Sequence, residues 1–377
     1  MKIKEMLLLA AAGLGLIGCG KPGGDANTLL IGEYVSLSGN TATFGQSMRN
    51  AIDIAVDEVN GGGGLLGCQI KLIVEDDQSK PEQAVTAVLK LIQRDRVTAI
   101  LGEVTSSCSI AAAPICQQNR IPMVSPSSTS PELTRKGDYI FRTCFIDPFQ
   151  GAAMARFASQ SLKAKTAAVF TDRKQDYSVG LAQFFKQTFQ ETGGKIVADE
   201  AYQSDDSEFR PQLTAIRAAK PEVIFVPGYY TQCVLIAKQA RELGLTQPFL
   251  GGDGWDSDVT LKSGGKAVEP CYFSNHYSPE DPRPEVQAFV EKYRKRFGVT
   301  PDALAVTGYD GAHVLFDAIR RANSTDGAAI RDALAQTRDF KGVSSRITID
   351  ANRNASKELV VLKIEDGKFK FVESVKP

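Results

Sequence analysis

Small hydroxyls, two tyrosines and one carboxylate, each placed just after a short apolar run, are the residues of this chain best suited to chemistry. Thr105-Ser106-Ser107 follows the run Val97 to Leu101 and opens a helical stretch. Free N–H groups at a helix start, beside small hydroxyls, suit an anion such as a carboxylate. Simple N-capping by Ser106 or Ser107 is the other reading of the same residues. Ser125 to Leu133 (SPSSTSPEL) places a second hydroxyl-rich loop, stiffened by Pro126 and Pro131, after the run Ile121 to Val124. Loops at the carboxyl ends of parallel strands line a ligand crevice, although an ordinary Ser/Pro surface loop has the same composition. Pro227 to Tyr230 (PGYY) and Gly251 to Trp255 (GGDGW) end two later apolar runs. Tyr229 and Tyr230 follow a glycine at a strand end, which favours a crevice over the core. Asp253 between glycines is either a turn former or a fixed carboxylate facing a ligand. Trp255, the only tryptophan, either packs the unit or walls a pocket.

Other chemistries find little support. Gly62 to Gly67 (GGGLLG) satisfies G-x-G-x-x-G, but a helix precedes it and a strand follows, the reverse of a dinucleotide site. It reads as a helix end and loop. No phosphate loop and no G-x-S-x-G nucleophile elbow is present. Glu75-Asp76-Asp77 reads as solvated carboxylates at a strand end. Only two histidines, His276 and His313, occur in 377 residues, which disfavours a His-based triad or metal site. Lys+Arg and Asp+Glu are both 44, so no basic field exists to gather nucleic acid. No metal or cofactor is expected.

The elements that must position these loops alternate. Strands are expected at Thr28 to Ser36, Gln69 to Val74, Val97 to Leu101 and Ile121 to Val124. Between them lie helices at Phe44 to Val59, from Pro81, and at Ser107 to Gln118. Phe44, Met48, Ala51, Ile52, Ala55 and Val59 share one helical face. The rhythm restarts after Asp147, with helices from Phe149, Val179, Phe209 and Thr231. The strands of this half are expected at Thr166 to Phe170, Lys195 to Tyr202, Glu222 to Val226 and Pro248 to Leu250. Helices follow at Pro284 to Phe297 and Ala303 to Ala322, then a C-terminal hairpin around Asp366-Gly367. Such alternation argues for parallel sheet and an α/β fold in two similar units.

Lys2 and Lys4 precede the apolar run Leu7 to Ile17, which is too short to span a bilayer comfortably. This reads as a secretory signal. Leu16-Ile17-Gly18-Cys19 resembles a bacterial lipobox, which implies cleavage after residue 18 and a lipid on Cys19. Residues 19–27 then form a flexible Gly/Pro-rich tether. Export permits disulfides, yet Cys68, Cys108, Cys116, Cys144, Cys233 and Cys271 leave every pairing open.

The motifs taken together resemble the type I periplasmic solute-binding proteins, above all the leucine/isoleucine/valine-binding branch that serves branched-chain amino acid ABC transporters. The resemblance rests on Leu37-Ser38-Gly39 with Phe44-Gly45, Ala51 to Gly62, Asp76-Asp77 with Ala84, and Ser125 to Thr134. Phe141-Arg142 before Gln150-Gly151, Tyr177 before Gly180-Leu181, and Gly228-Tyr229-Tyr230 complete it. It implies a two-lobe α/β fold, parallel-sheet lobes joined by three crossovers. Residues 28–147 and 277–350 would form the first lobe, residues 148–276 and 351–377 the second. By the resemblance, Ser106 and backbone near Thr129 meet a ligand carboxylate. Thr129, the carbonyl of Ser127 and Asp253 meet an ammonium, while Tyr177 and Tyr229 swing over the ligand. Ser107, Phe44 and Trp255 complete the expected site. The partners implied are an amino acid and the permease subunits of the transporter, with the chain a lipid-anchored monomer outside the cytoplasm. Phe44 stands where relatives often carry tyrosine. Asp253 is one methylene shorter than the glutamate of the best-known branch. Ser79 and Thr105 occupy the places of a disulfide known there. A ligand sensor of the same fold that binds amides is the rival reading, and an exported enzyme a weaker one.

Overall fold

The computed structural model describes residues 27–377; Cys19, the signal and most of the tether lie outside the described residues. The first half runs β1 (Thr28–Val35), α1 (Ala42–Gly61), β2 (Gln69–Asp76), α2 (Pro81–Leu89), β3 (Ala99–Leu101), α3 (Ser106–Gln118), β4 (Met123–Ser125) and β5 (Ile140–Arg142). The second runs α4 (Asp147–Arg156), β6 (Thr166–Asp172), α5 (Asp176–Glu191), β7 (Lys195–Tyr202), α6 (Arg210–Ala219), β8 (Val223–Phe225), α7 (Tyr230–Glu242), β9 (Phe249–Gly251), α8 (Asp258–Gly264) and β10 (Cys271–Asn275). Three helices follow, α9 (Pro284–Phe297), α10 (Ala303–Ala322) and α11 (Gly327–Ala335). The chain ends in β11 (Phe340–Lys341), β12 (Arg346–Ile349), β13 (Ala355–Ser356), β14 (Leu359–Glu365) and β15 (Lys368–Val375).

Two large sheets define two lobes. The first has the order β2-β1-β3-β4-β5 and is parallel throughout. The second has the order β15-β14-β10-β9-β8-β6-β7, parallel from β10 to β7, with the C-terminal hairpin added antiparallel. Helices cover both faces, so central strands such as Ala99–Leu101 and Val223–Phe225 are buried throughout. The stripe Phe44, Met48, Ala51, Ile52 and Ala55 packs α1 into the same core as Phe289 and Tyr293 of α9 and Leu315 and Ile319 of α10. Phe170, Phe209, Phe249 and Trp255 belong to one core of the second lobe; Phe185 and Phe225 stack in another. The chain therefore passes between lobes three times: after β5, between β10 and α9, and between β13 and β14.

Several expectations are corrected. β5, α8, β10, α11 and the small β11–β12–β13 sheet are additions to the elements read from sequence. The Glu75-Asp76-Asp77 cluster is not uniformly solvated, because Asp77 is fully buried. Its Oδ1 lies 2.9 Å from Ser36 Oγ, which is also 2.8 Å from Glu103 Oε1. Burial, with the Glu103 charge second, pushes the Asp77 carboxyl up to about 9. Cys108, Cys116, Cys144, Cys233 and Cys271 are buried free thiols. No helix among the described residues is long and apolar enough to cross a membrane.

Candidate functional site

The site begins where β3 and β4 end. Glu103, one turn before α3, ties that corner together: its carboxylate accepts from Ser36 N–H at 3.1 Å and from Thr105 Oγ1 at 2.8 Å. The Glu103 carbonyl accepts from Ser125 Oγ at 3.1 Å and Ser128 Oγ at 3.2 Å. Ser127 Oγ donates to the Val104 carbonyl at 2.9 Å, and Ser130 N–H donates to Ser106 Oγ at 3.2 Å. The hydroxyls thus stitch two loops into one rigid edge at the N-terminus of α3. One hydroxyl is left over. Thr129 Oγ1 is buried and makes none of these close bonds; the group it bears on is the buried Asp147, whose carboxyl it helps to hold down.

The second lobe supplies the facing wall from the ends of β8 and β9 and the start of α5. Tyr177 and Tyr229 stack, centroids 5.1 Å apart and planes 16° from parallel. Tyr177 Oη accepts from Gly254 N–H at 3.2 Å. Burial raises both phenols well above their ordinary range, so both are neutral. Asp253 opens a single 3-10 turn, Asp253–Trp255. Its glycine neighbours serve space, not a left-handed turn: none of Gly251, Gly252 and Gly254 has a φ in the left-handed region. A Cβ on Gly252 would stand 2.3 Å from Tyr177 Oη and one on Gly254 2.4 Å from the Gly228 carbonyl.

A narrow cavity lies between the lobes. Of the nine nominated residues, Phe44, Ser106, Ser127, Thr129, Tyr177, Tyr229 and Asp253 line it, together with Val104, Gly254 and Leu304. Ser107 and Trp255 are not among the lining residues. Ser107 does not face the cavity, because its hydroxyl is committed to Asp176 on α5 at 2.8 Å. Trp255 is fully buried in the second lobe, its indole N–H donating to the Val226 carbonyl at 2.9 Å. A larger open groove between α9, α10 and β11–β12 holds Lys292 and Arg283, but both are already paired with carboxylates, Glu58 and Asp281.

Sequence reasoning missed the support behind Asp253. Gln150 Nε2 donates to Asp253 Oδ1 at 3.1 Å, and Gln150 Oε1 accepts from Asp253 N–H at 3.0 Å. His276 Nε2 lies 3.0 Å from Asp253 Oδ2. Asp147, at the start of α4, is fully buried, and burial pushes its carboxyl up to about 8. Gln150 was visible only as part of a family motif, and His276 was hidden by the unrecognised strand β10. Chemically, the cavity is lined by hydroxyls and a helix N-terminus from the first lobe, by a carboxylate from the second, and by Phe44, Val104, Leu304 and the tyrosine faces. That arrangement suits a small molecule carrying an anionic group, a cationic group and an apolar remainder.

Comparison with known proteins gives matching chains over nearly the whole length. Residues 28–368 match the family described as periplasmic binding protein. A leucine-binding protein from Thermotoga maritima is 40% identical, with 93% of this chain and 99% of that chain covered and a TM-score of 0.89. A branched-chain amino acid transporter substrate-binding protein from Streptococcus pneumoniae, solved with isoleucine, is 32% identical over 93% of this chain and 100% of that chain, TM-score 0.88. A solute-binding protein of an ABC transporter from Rhodopseudomonas palustris, solved with 3,4-dihydroxybenzoic acid, is 27% identical over 93% and 98%, TM-score 0.84.

Proposed function

Because the chain belongs to the periplasmic binding protein family, we propose that it is the extracytoplasmic solute-binding component of an ABC transporter, capturing an α-amino acid with a branched aliphatic side chain by hinge closure of its lobes. One observation carries this reading. The hydroxyl of Thr129 and the carboxylate of Asp253 face one narrow cavity from opposite lobes. A zwitterion leaving water needs both charges satisfied. Ser106, Thr129 and the start of α3 suit the carboxylate. Asp253, with Thr129 and the Ser127 carbonyl, suits the ammonium. Phe44, Val104 and Leu304 suit an aliphatic side chain, and Tyr177 with Tyr229 close over it. The names of the Thermotoga and Streptococcus relatives support the same ligand class. The dihydroxybenzoic acid in the Rhodopseudomonas relative shows that a carboxylate without an ammonium can occupy this fold. Asp253 argues against such a ligand here.

The run Leu16-Ile17-Gly18-Cys19 supports a lipid on Cys19, a tether to a bacterial membrane and delivery to permease subunits at its outer face. Mass spectrometry of the mature protein is expected to show a diacylglyceryl-modified Cys19 at the N-terminus; an unmodified Cys19 overturns the anchor. For the ligand, a thermal-shift screen over L-amino acids, their amides and simple carboxylic acids is the direct test. Leucine, isoleucine or valine should raise the melting temperature in proportion to ln(1 + [L]/Kd). A screen in which only amides or aromatic acids raise it overturns the amino-acid reading.

A further inference from the structure

Asp253 is held from behind by two side chains that do not line the cavity. Gln150 on α4 meets both its N–H, at 3.0 Å, and its Oδ1, at 3.1 Å. Ser274 Oγ, on β10, lies 2.7 Å from Gln150 Oε1 and donates to it, which fixes which way the amide points. His276, just past β10, meets Oδ2 at 3.0 Å. All three supports are buried: Gln150, Ser274 and His276 are each no more than 1% exposed. We propose that Gln150 and His276 are positioning residues for the ammonium site, and that His276 makes ligand capture proton-linked, so that binding weakens in acid. This rests on the amino-acid reading above.

The argument follows from what each atom can do. A carboxylate only accepts hydrogen bonds, so His276 Nε2 must carry the hydrogen it shares with Asp253. In the neutral ring Nδ1 then bears a bare lone pair, and Nδ1 is buried without a partner. Phe145 stacks on the ring, 3.9 Å between centroids and 20° between planes, and holds it in place. A proton taken up from solvent at Nδ1 would place an imidazolium against Asp253. The pair would then be neutral overall, and a ligand ammonium would lose most of its attraction to that carboxylate. Conversely, a bound ammonium adds a second cation facing Asp253 and makes the imidazolium harder to form. Proton and ligand therefore compete, and by linkage each weakens the other.

The surroundings set the direction. Burial holds the His276 imidazole below its ordinary range, Asp253 pulls the other way, and Lys357 in the third crossing lowers it further. The other titratable groups around the pair are the Asp147 and Asp256 carboxyls, which burial pushes up to about 8 and about 6, then Tyr177, Cys144 and, beyond Asp147, Arg142. Near neutral pH His276 is thus uncharged and the Asp253 charge is available to ligand.

Calorimetry with L-leucine on the full chain, between pH 7.5 and 5, tests this. Affinity of the wild type is expected to hold near neutrality and then fall, approaching about tenfold per pH unit below the His276 midpoint. His276→Gln, which keeps a donor at the place of Nε2 and cannot titrate, should lose that slope whatever its affinity at pH 7.5. Gln150→Ala should weaken binding at every pH and keep the slope. A slope equal in wild type and His276→Gln overturns the proposal, as does a flat wild-type profile. The chain has two histidines, so NMR of the ring protons gives a second reading in the unaltered protein. Ligand should lower the His276 midpoint and leave His313 unmoved; an unmoved His276 overturns the proposal. A wild type that binds no amino acid at any pH overturns the functional reading beneath it.

Discussion

Ser107 and Asp176 are joined by two hydrogen bonds across the two lobes: Ser107 Oγ donates to Asp176 Oδ2 at 2.8 Å and accepts from the Asp176 N–H at 3.0 Å. The first helical residue of α5 is thereby capped by a hydroxyl from α3. Thr231 Oγ1 donating to the Asn40 carbonyl at 2.8 Å, and Thr43 Oγ1 3.1 Å from Ser257 Oγ, join the lobes nearby. These bonds exist only when the lobes are together, so they favour closure and not the folding of either lobe.

Ser107→Ala is therefore expected to weaken ligand binding without contact to ligand. Two hydrogen bonds at about 0.5–1.5 kcal/mol each give roughly a five- to hundredfold loss. Stopped-flow fluorescence should place most of it in faster release, with the ligand-free melting temperature unchanged. An unaltered release rate contradicts the latch.

Ser106 and Thr129 are expected to share the ligand carboxylate. Losing one charge-assisted bond should cost about 1.5–3 kcal/mol, roughly ten- to hundredfold in affinity. Calorimetry on Ser106→Ala and Thr129→Ala checks this.

Asp77→Asn is expected to change how stability depends on pH. The folded Asp77 carboxyl is pushed up to about 9 by burial and the Glu103 charge, against about 4 when unfolded. Below pH 4 the acid is protonated in both states and costs nothing. As pH rises from about 4 to about 9 the unfolded chain ionises first, so wild-type stability declines. Asparagine imitates the protonated acid and cannot ionise. Its melting temperature should exceed that of wild type by a few degrees at pH 9 and match it near pH 4. Parallel curves for the two proteins contradict the assignment.

Long segments were legible in the sequence: α9, α10 and β7 have the bounds expected from it. The strand-end loops with Ser106, Thr129, Tyr229 and Asp253 were legible because hydroxyls and glycines follow short apolar runs. β10 was not. Its Ser274 and Asn275 are buried polar residues, satisfied by Gln150 and Asp256 from other elements, and no local pattern announces such partners. Trp255 and Ser107 stand apart from the cavity lining for a related reason. Position after a strand does not say whether a side chain turns toward the cavity, into its own lobe, or across to the other. The family resemblance supplied the crossovers, which no periodicity encodes.

The central claim is that Asp253 pairs with a ligand ammonium, and calorimetry on wild type and Asp253→Asn tests it most directly. Two ligands decide: L-leucine, and isocaproate, which is leucine without its amino group. Asparagine keeps the shape and the bond to Gln150 and loses the charge. Breaking a buried pair costs about 3–5 kcal/mol, so leucine should bind the variant at least roughly a hundredfold more weakly. Isocaproate should bind the wild type poorly and the variant no worse. Equal leucine affinity in the two proteins, or isocaproate binding the wild type as tightly as leucine, would contradict the account.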